Sequence, residues 1–165
     1  MESIENATYA NSKPFHKMVE ELLPPGLYQA KIVKVYDGDT VWATVNHREI
    51  FRIKLRLRNI NTPEIRGGSE EEKAEGFKSK HFVEKLLLNK IVHIKITGVD
   101  KYSRFLAFIY PNIDVWRESF EWTFEDYMDA LGKVEKNYEG SMELNEYMIH
   151  SGNAVSYMYS VDPAE

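Results

Sequence analysis

The chain of 165 residues lacks cysteine, and none of its hydrophobic runs approaches the ~18 residues of a membrane-spanning helix. The lack of cysteine excludes disulfides and thiolate metal sites and fits a reducing compartment. The first residues include acids and no apolar stretch of the kind found in secretory signals. We therefore expect a cytoplasmic protein with no membrane association.

The composition is that of one globular domain, with 43% hydrophobic and 28% charged residues. The net charge of −5 argues against a polyanionic partner, but the charges are unevenly placed. Residues 26–110 carry 16 basic and 10 acidic side chains, whereas residues 111–165 carry 3 basic and 12 acidic ones. The basic middle of the chain keeps nucleic acid among the partners to be considered.

Hydrophobic residues that alternate with polar ones predict five strands, over 27–36, 40–45, 51–57, 92–96 and 105–110. The third has the clearest pattern, because its outward positions are all occupied by Lys or Arg. Helical spacing predicts helices over 15–23, from the N-cap Ser69 onward, over 116–127 and over 142–150.

Five short strands with a helix between the third and fourth predict an α+β, mainly β fold built on a small closed barrel. We assign residues 1–25 to an N-terminal arm and residues 26–165 to the barrel domain. The domain contains an acidic, aromatic insert at about 113–140. Since the polar motifs flank this insert, we expect the barrel to fold without it.

Three polar motifs stand next to the predicted strands. Asp37-Gly38-Asp39-Thr40 places two carboxylates at a hairpin tip, where they can bind a hard cation or simply form a tight turn. Arg56 precedes a loop with Asn61, Thr62 and Glu64. A third segment, 100–104, ends in Arg104. Arginine offers phosphate a planar fork of donors, but each motif taken alone is also compatible with an ordinary polar turn.

Together, VYDGDTV, RLRNINTPE and DKYSRFLAFIY, followed by the segment 145–159, resemble the staphylococcal nuclease (thermonuclease) family. The resemblance covers roughly residues 27–110 and 141–159. It implies an OB-fold barrel of five strands with flanking helices. It also implies a calcium-dependent phosphodiesterase that cuts DNA and RNA and leaves 3′-phosphate and 5′-hydroxyl ends.

The same resemblance implies roles for individual residues. Arg56 would bind the phosphate, Glu64 would orient or deprotonate the attacking water, and Arg104 would stabilise the transition state. The metal ligands would be Asp39, Asn61 and Thr62. The substrate contacts would be Lys101, Tyr102, Tyr157 and Tyr159.

Asn61 departs from the family pattern, which has Asp at this position and so a second negative charge on the metal. We expect calcium to bind more weakly than is usual in the family, and Mg²⁺ or Mn²⁺ to be possible substitutes. Exposed tyrosines that stack on unpaired bases would favour single-stranded or frayed DNA or RNA.

Two alternatives remain open. The first is a catalytically weak or inactive module that binds nucleic acid or protein, although the retention of Arg56, Glu64 and Arg104 favours activity. The second concerns the aromatic residues of the insert, which either dock a basic protein partner or pack on their own barrel, and we favour packing. We expect a monomer.

Overall fold

A computed structural model describes residue 10 and residues 14–157 of the chain. Five strands close into a barrel in the order β1-β2-β3-β6-β5, which confirms the predicted α+β barrel fold. The barrel strands are β1 (Gly26–Asp37), β2 (Thr40–His47), β3 (Glu49–Leu57), β5 (Ile91–Val99) and β6 (Phe105–Tyr110). Short pairs are formed by β4 (Ile60–Asn61) with β9 (Val155–Ser156) and by β7 (Asn137–Tyr138) with β8 (Ser141–Met142). The helices are α1 (Phe15–Leu22), α2 (Glu70–Leu87), α3 (Ile113–Phe120), α4 (Phe124–Lys133) and α5 (Leu144–His150).

The first hairpin has the tip that its sequence predicts. β1 and β2 are antiparallel, and Asp37 is paired with Thr40. Gly38 and Asp39 therefore form a two-residue connection.

The barrel closes where β3 runs parallel to β6, with Arg56 opposite Leu106. This pairing brings the third strand and the segment 100–104 to the same end of the barrel.

The barrel interior is apolar because inward positions alternate along each strand. Ile32, Val41, Leu55, Ile94 and Ile109 are fully buried. α2 packs against β1, and its buried residues Val83, Leu86 and Leu87 join the same core. This helix begins where expected, since the side chain of Ser69 accepts a hydrogen bond from the backbone of Glu72.

The prediction of one helix over 116–127 is wrong, because two helices occupy this region. α3 ends at Phe120, and the C-cap residue Glu121 adopts a left-handed conformation with φ of 55°. α4 starts at the N-cap Thr123, which forms a capping box with Asp126. The aromatic spacing continues across the break, so periodicity alone could not reveal the two caps that separate the helices.

The aromatic residues of the insert mostly pack on their own domain, as we favoured. Trp116 and Tyr127 are at most 1% exposed, and the ring of Phe120 stacks on Phe82 of α2 at 5.1 Å. Of the five aromatics between 116 and 127, Phe124 is the most exposed, at 54%. Trp116 and Tyr127 belong to the same buried core as the barrel residues, and our expectation that the barrel folds without residues 113–140 stays a prediction. A protein partner at the insert stays a prediction. Most of the aromatic rings that could bind such a partner are packed against the domain itself.

No helix within the described residues is long and apolar enough to cross a membrane.

We predict that Trp116→Ala destabilises the protein by about 3–5 kcal/mol, because it removes a fully buried indole from the core. The matched control is Phe124→Ala, which truncates an exposed ring in the same segment and should change stability by no more than about 0.5 kcal/mol. Urea unfolding followed by circular dichroism measures both. Equal, small effects would mean that the insert is an appendage.

Candidate active site

Asp39 lies at the hairpin tip, where it is buried. Its Oδ2 atom accepts hydrogen bonds from the backbone N–H and the hydroxyl of Thr62, at 3.1 and 3.2 Å. Its Oδ1 atom accepts a hydrogen bond from the Thr40 hydroxyl at 3.0 Å. One carboxylate therefore ties the hairpin to the loop that follows β4.

Arg56 is the cation that faces this carboxylate, and it is only 8% exposed. Its Nη2 atom lies 3.5 Å from Oδ2 of Asp39 and donates a hydrogen bond to Oδ1 of Asn61 at 2.5 Å. Its Nη1 atom donates to the carbonyl of Leu57 at 2.7 Å. A buried guanidinium needs such partners, because an unpaired charge in the interior is strongly destabilising. The outward row of β3 is thus not uniformly solvent-exposed.

The two aspartates of the hairpin differ in charge state. Burial raises the pKa of Asp37 to about 7, and the hydrogen bond and negative charge of Asp39 act in the same direction. Burial also disfavours ionisation of Asp39, but Arg56 and hydrogen bonds from Asp37, Thr62 and Thr40 outweigh it, so the Asp39 pKa lies below its usual value. Near neutral pH, the pair carries between one and two negative charges.

The donors around Asp39 fit a hard divalent cation in kind. The described residues contain no cluster of three or more His, Cys, Asp or Glu that could hold a metal ion. A carboxylate, an amide oxygen and the hydroxyl oxygen of Thr62 nevertheless lie close together here, and Ca²⁺ and Mg²⁺ prefer such ligands. Both the Asp39 and the Asn61 oxygens are hydrogen-bonded to neighbours, so a cation would have to displace part of this network.

Arg104 is held by Asp100. The Nε atom of Arg104 donates to Oδ2 of Asp100 at 2.7 Å, while Oδ1 accepts from the backbone N–H groups of Tyr102 and Arg104. Asp100 therefore shapes the turn and orients the guanidinium at the same time. Since Nε is engaged, the two terminal nitrogens are the ones that remain to contact a phosphate.

A groove of about 540 Å³ brings the separate motifs together. Six of the residues singled out from sequence line it, namely Arg56, Asn61, Lys101, Tyr102, Arg104 and Tyr157. His16 and Lys17 of α1 also line it, and no sequence motif indicated them. Asp39 and Thr62 adjoin the groove through Arg56 and Asn61.

Two of the residues singled out from sequence, Glu64 and Tyr159, have no described position in the groove lining. Glu64 is exposed and is not part of the groove lining, although it follows Thr62 by only two residues. Tyr159 lies outside the described residues.

Two glycines allow the loop at Glu64 to approach its neighbours, and sequence reasoning missed both. A Cβ atom at Gly76, within α2, would lie 2.7 Å from the Pro63 carbonyl and 3.1 Å from the carbonyl carbon of Glu64. A Cβ atom at Gly38 would lie 2.8 Å from the Thr62 side chain. The position of Gly76 was the available signal, because glycine inside a helix costs about 1 kcal/mol relative to alanine and so indicates a packing constraint.

Comparison with known proteins is consistent with this geometry. The profile of a family described as staphylococcal nuclease homologues matches residues 54–165, so the match begins within β3 and does not include Asp39. An uncharacterized protein of Methanocaldococcus jannaschii is 41% identical, over 52% of this chain and 49% of the relative. A protein of Haemophilus influenzae named as an uncharacterized endonuclease is 30% identical, over 59% of this chain and 53% of the relative. The chain thus spans about half the length of these curated relatives.

We predict that Gly76→Ala lowers both stability and activity, because the new methyl group would push the Pro63–Glu64 backbone away from α2. Overpacking costs about 1–3 kcal/mol, which exceeds the helix-propensity gain of about 1 kcal/mol. The matched control is Gly132→Ala in α4, where a Cβ atom meets nothing within 4 Å and should be neutral or stabilising. Thermal unfolding and nuclease assays compare the two, and a stabilised, fully active Gly76→Ala protein would contradict the prediction.

We predict that Asn61→Asp tightens divalent-cation binding, since it adds a negative charge beside Asp39. The gain should be about 1–2 kcal/mol for charges about 4 Å apart at the effective dielectric of a partly solvated site. Calorimetric titration with calcium measures it, with Asn59→Asp as a control in the neighbouring turn. Equal affinities for the parent and Asn61→Asp proteins would remove residue 61 from the metal site.

Proposed function

This chain belongs to the family of staphylococcal nuclease homologues, and we propose from that membership that it is a metal-dependent, sugar-nonspecific endonuclease. The proposed reaction is hydrolysis of phosphodiester bonds in DNA and RNA to 3′-phosphate and 5′-hydroxyl ends. The relative named as an endonuclease supports the reaction class. Because the chain spans about half of that relative, its own activity stays a proposal.

The observation that carries the proposal is the convergence of two arginines on one groove. Arg56 comes from β3 and Arg104 precedes β6, and both line the groove beside the Asp39 carboxylate. Two guanidinium groups in one groove suit the charge that develops on phosphate oxygens during in-line attack. Their fixation by Asp39, Asn61 and Asp100 means that little reorganisation is needed at the moment of reaction.

The cation site would consist of Asp39, Asn61 and Thr62. A bound Ca²⁺, or Mg²⁺ or Mn²⁺ in its place, supplies additional stabilisation of negative charge on the phosphate. Arg56 contacts both Asp39 and Asn61, so phosphate binding and the cation site share a wall of the groove.

Glu64 is the proposed general base. Water adds its oxygen to phosphorus and gives a proton to the Glu64 carboxylate, while the bond from phosphorus to the 5′ oxygen breaks. The 5′ oxygen leaves as a hydroxyl after taking a proton from solvent. The exposed position of Glu64 keeps its carboxylate in contact with water, and substrate binding would bring it against the phosphate.

Recognition would depend on phosphate and stacking rather than on base edges. Tyr102 is 69% exposed, and the Lys101 ammonium lies 5.3 Å from the centre of its ring. Tyr157 lines the same groove. Aromatic rings beside cations bind unpaired bases with little sequence preference, which supports single-stranded or frayed DNA or RNA as the substrate.

A binding module without catalysis is the second candidate. It is favoured by one contact, the hydrogen bond from Arg56 to the Asn61 oxygen, because this oxygen would otherwise be a ligand of the proposed cation site. Such a protein would hold single strands in the groove without cutting them.

We predict that the protein degrades single-stranded DNA faster than duplex DNA in the presence of calcium, magnesium or manganese, and not in EDTA.

Glu64→Gln should lower the turnover number by about 10²–10⁴-fold and leave substrate binding largely intact, because it removes a proton acceptor but no phosphate contact. Gel-based digestion and steady-state kinetics measure both effects.

The control is Glu75→Gln, which changes an exposed carboxylate of α2 in the same way and should retain full turnover. Binding of single strands without cleavage under any metal would select the second candidate. Normal turnover of the Glu64→Gln protein would remove this residue from the mechanism.

A further inference from the structure

The first turn of α1 contributes to the lining of the groove, and the roles given above assign no function to it. His16 and Lys17 line this groove together with residues that include Tyr102 and Arg104. We propose that these two residues form a second phosphate subsite, which holds the backbone phosphate next to the one bound at Arg56. The proposal rests on the nuclease function and deepens it, since it adds two residues that would hold the strand of the substrate beyond the scissile phosphate.

α1 is held in place by packing, so the position of Lys17 follows from the fold. Leu23, directly after the helix, is 1% exposed, and Val19 packs against the core. On its apolar side, the helix borders a second groove lined by Phe15, Leu22 and the turn 102–104. The turn that carries Arg104 thus contributes residues to both grooves, and α1 borders both as well.

The electrostatics suit a phosphate. The first turn of α1 contains no acidic residue. The groove carries the cations Lys17, Arg56, Lys101 and Arg104, and Asp100, the one carboxylate among the described residues of its lining, is bonded to Arg104. Lys17, which is exposed, pairs with the half-buried Glu20 at 4.0 Å. Solvent-accessible pairs at this distance contribute little, so a phosphate can displace Glu20.

A strand of nucleic acid matches this arrangement better than one nucleotide does. The groove lining contains cations from three separate segments of the chain, and the exposed ring of Tyr102 lies in the same lining, where a base can stack. An ammonium group offers three donors to phosphate oxygens, and the His16 ring can donate one more. The path of the strand would run from Arg56 past Tyr102 to α1.

The test measures binding of a labelled eight-residue oligothymidylate as a function of salt. All proteins carry Glu64→Gln to prevent cutting, and recovery of the intact oligonucleotide confirms that none occurred. For single strands, each phosphate contact contributes about 0.7 to the slope of log affinity against log salt. Lys17→Gln should therefore make the slope shallower by about 0.7 and weaken binding at low salt.

Two matched variants separate the subsite from general effects of charge. Lys95→Gln removes an exposed lysine of β5 outside the groove lining and should leave slope and affinity unchanged. Glu20→Gln alters the same helix but removes the carboxylate beside Lys17, so it must not weaken binding. An unchanged slope in Lys17→Gln, or equal losses in all three variants, would overturn the subsite. A protein with the natural Glu64 that neither binds nor cuts single strands would instead overturn the nuclease function itself.

Discussion

The Asp39 carboxylate is the contact on which the rest of the site depends. It accepts hydrogen bonds from the Thr62 backbone and hydroxyl, and it faces the Arg56 guanidinium at 3.5 Å. These contacts join the β1–β2 hairpin, the strand β3 and the loop after β4. A buried arginine and a buried aspartate stabilise each other only as a pair, because either charge alone would be costly to remove from water. The loop that carries Glu64 is positioned by the same contact.

The acidic final third of the chain serves the fold more than it serves recognition. Trp116 and Tyr127 are buried, and the Tyr127 hydroxyl both donates to the Gly140 carbonyl and accepts from the Met142 backbone. α5 adds Asn145, whose side chain bonds to the backbone of Arg58, Ala107 and Ile109. Residues far along the chain therefore clamp β3 and β6 together at the barrel end that carries the groove.

Net charge is a poor guide to this molecule because its charges are segregated. The chain has a net charge of −5, yet the groove is lined by lysines and arginines from three separate segments. The acids of the last third lie mainly on the exposed surfaces of α3, α4 and the following turns. A phosphate backbone responds to the local potential, since salt screens charges more than about 8–10 Å away. A negative protein can thus present a positive site.

The sequence by itself determined the five strands, the two-residue hairpin tip and the N-cap at Ser69, because each depends on spacing within a few residues. The resemblance to a known family predicted six of the residues that line the groove, because three separated motifs and the segment 145–159 match that family in order and spacing. Only the tertiary structure decided that Arg56 bonds to Asn61, that Gly76 admits the Glu64 loop and that α1 forms a wall of the groove. The reason is physical. Local periodicity specifies which face of an element is apolar, but the neighbour that covers that face, and the polar atoms left beside it, depend on how distant segments pack.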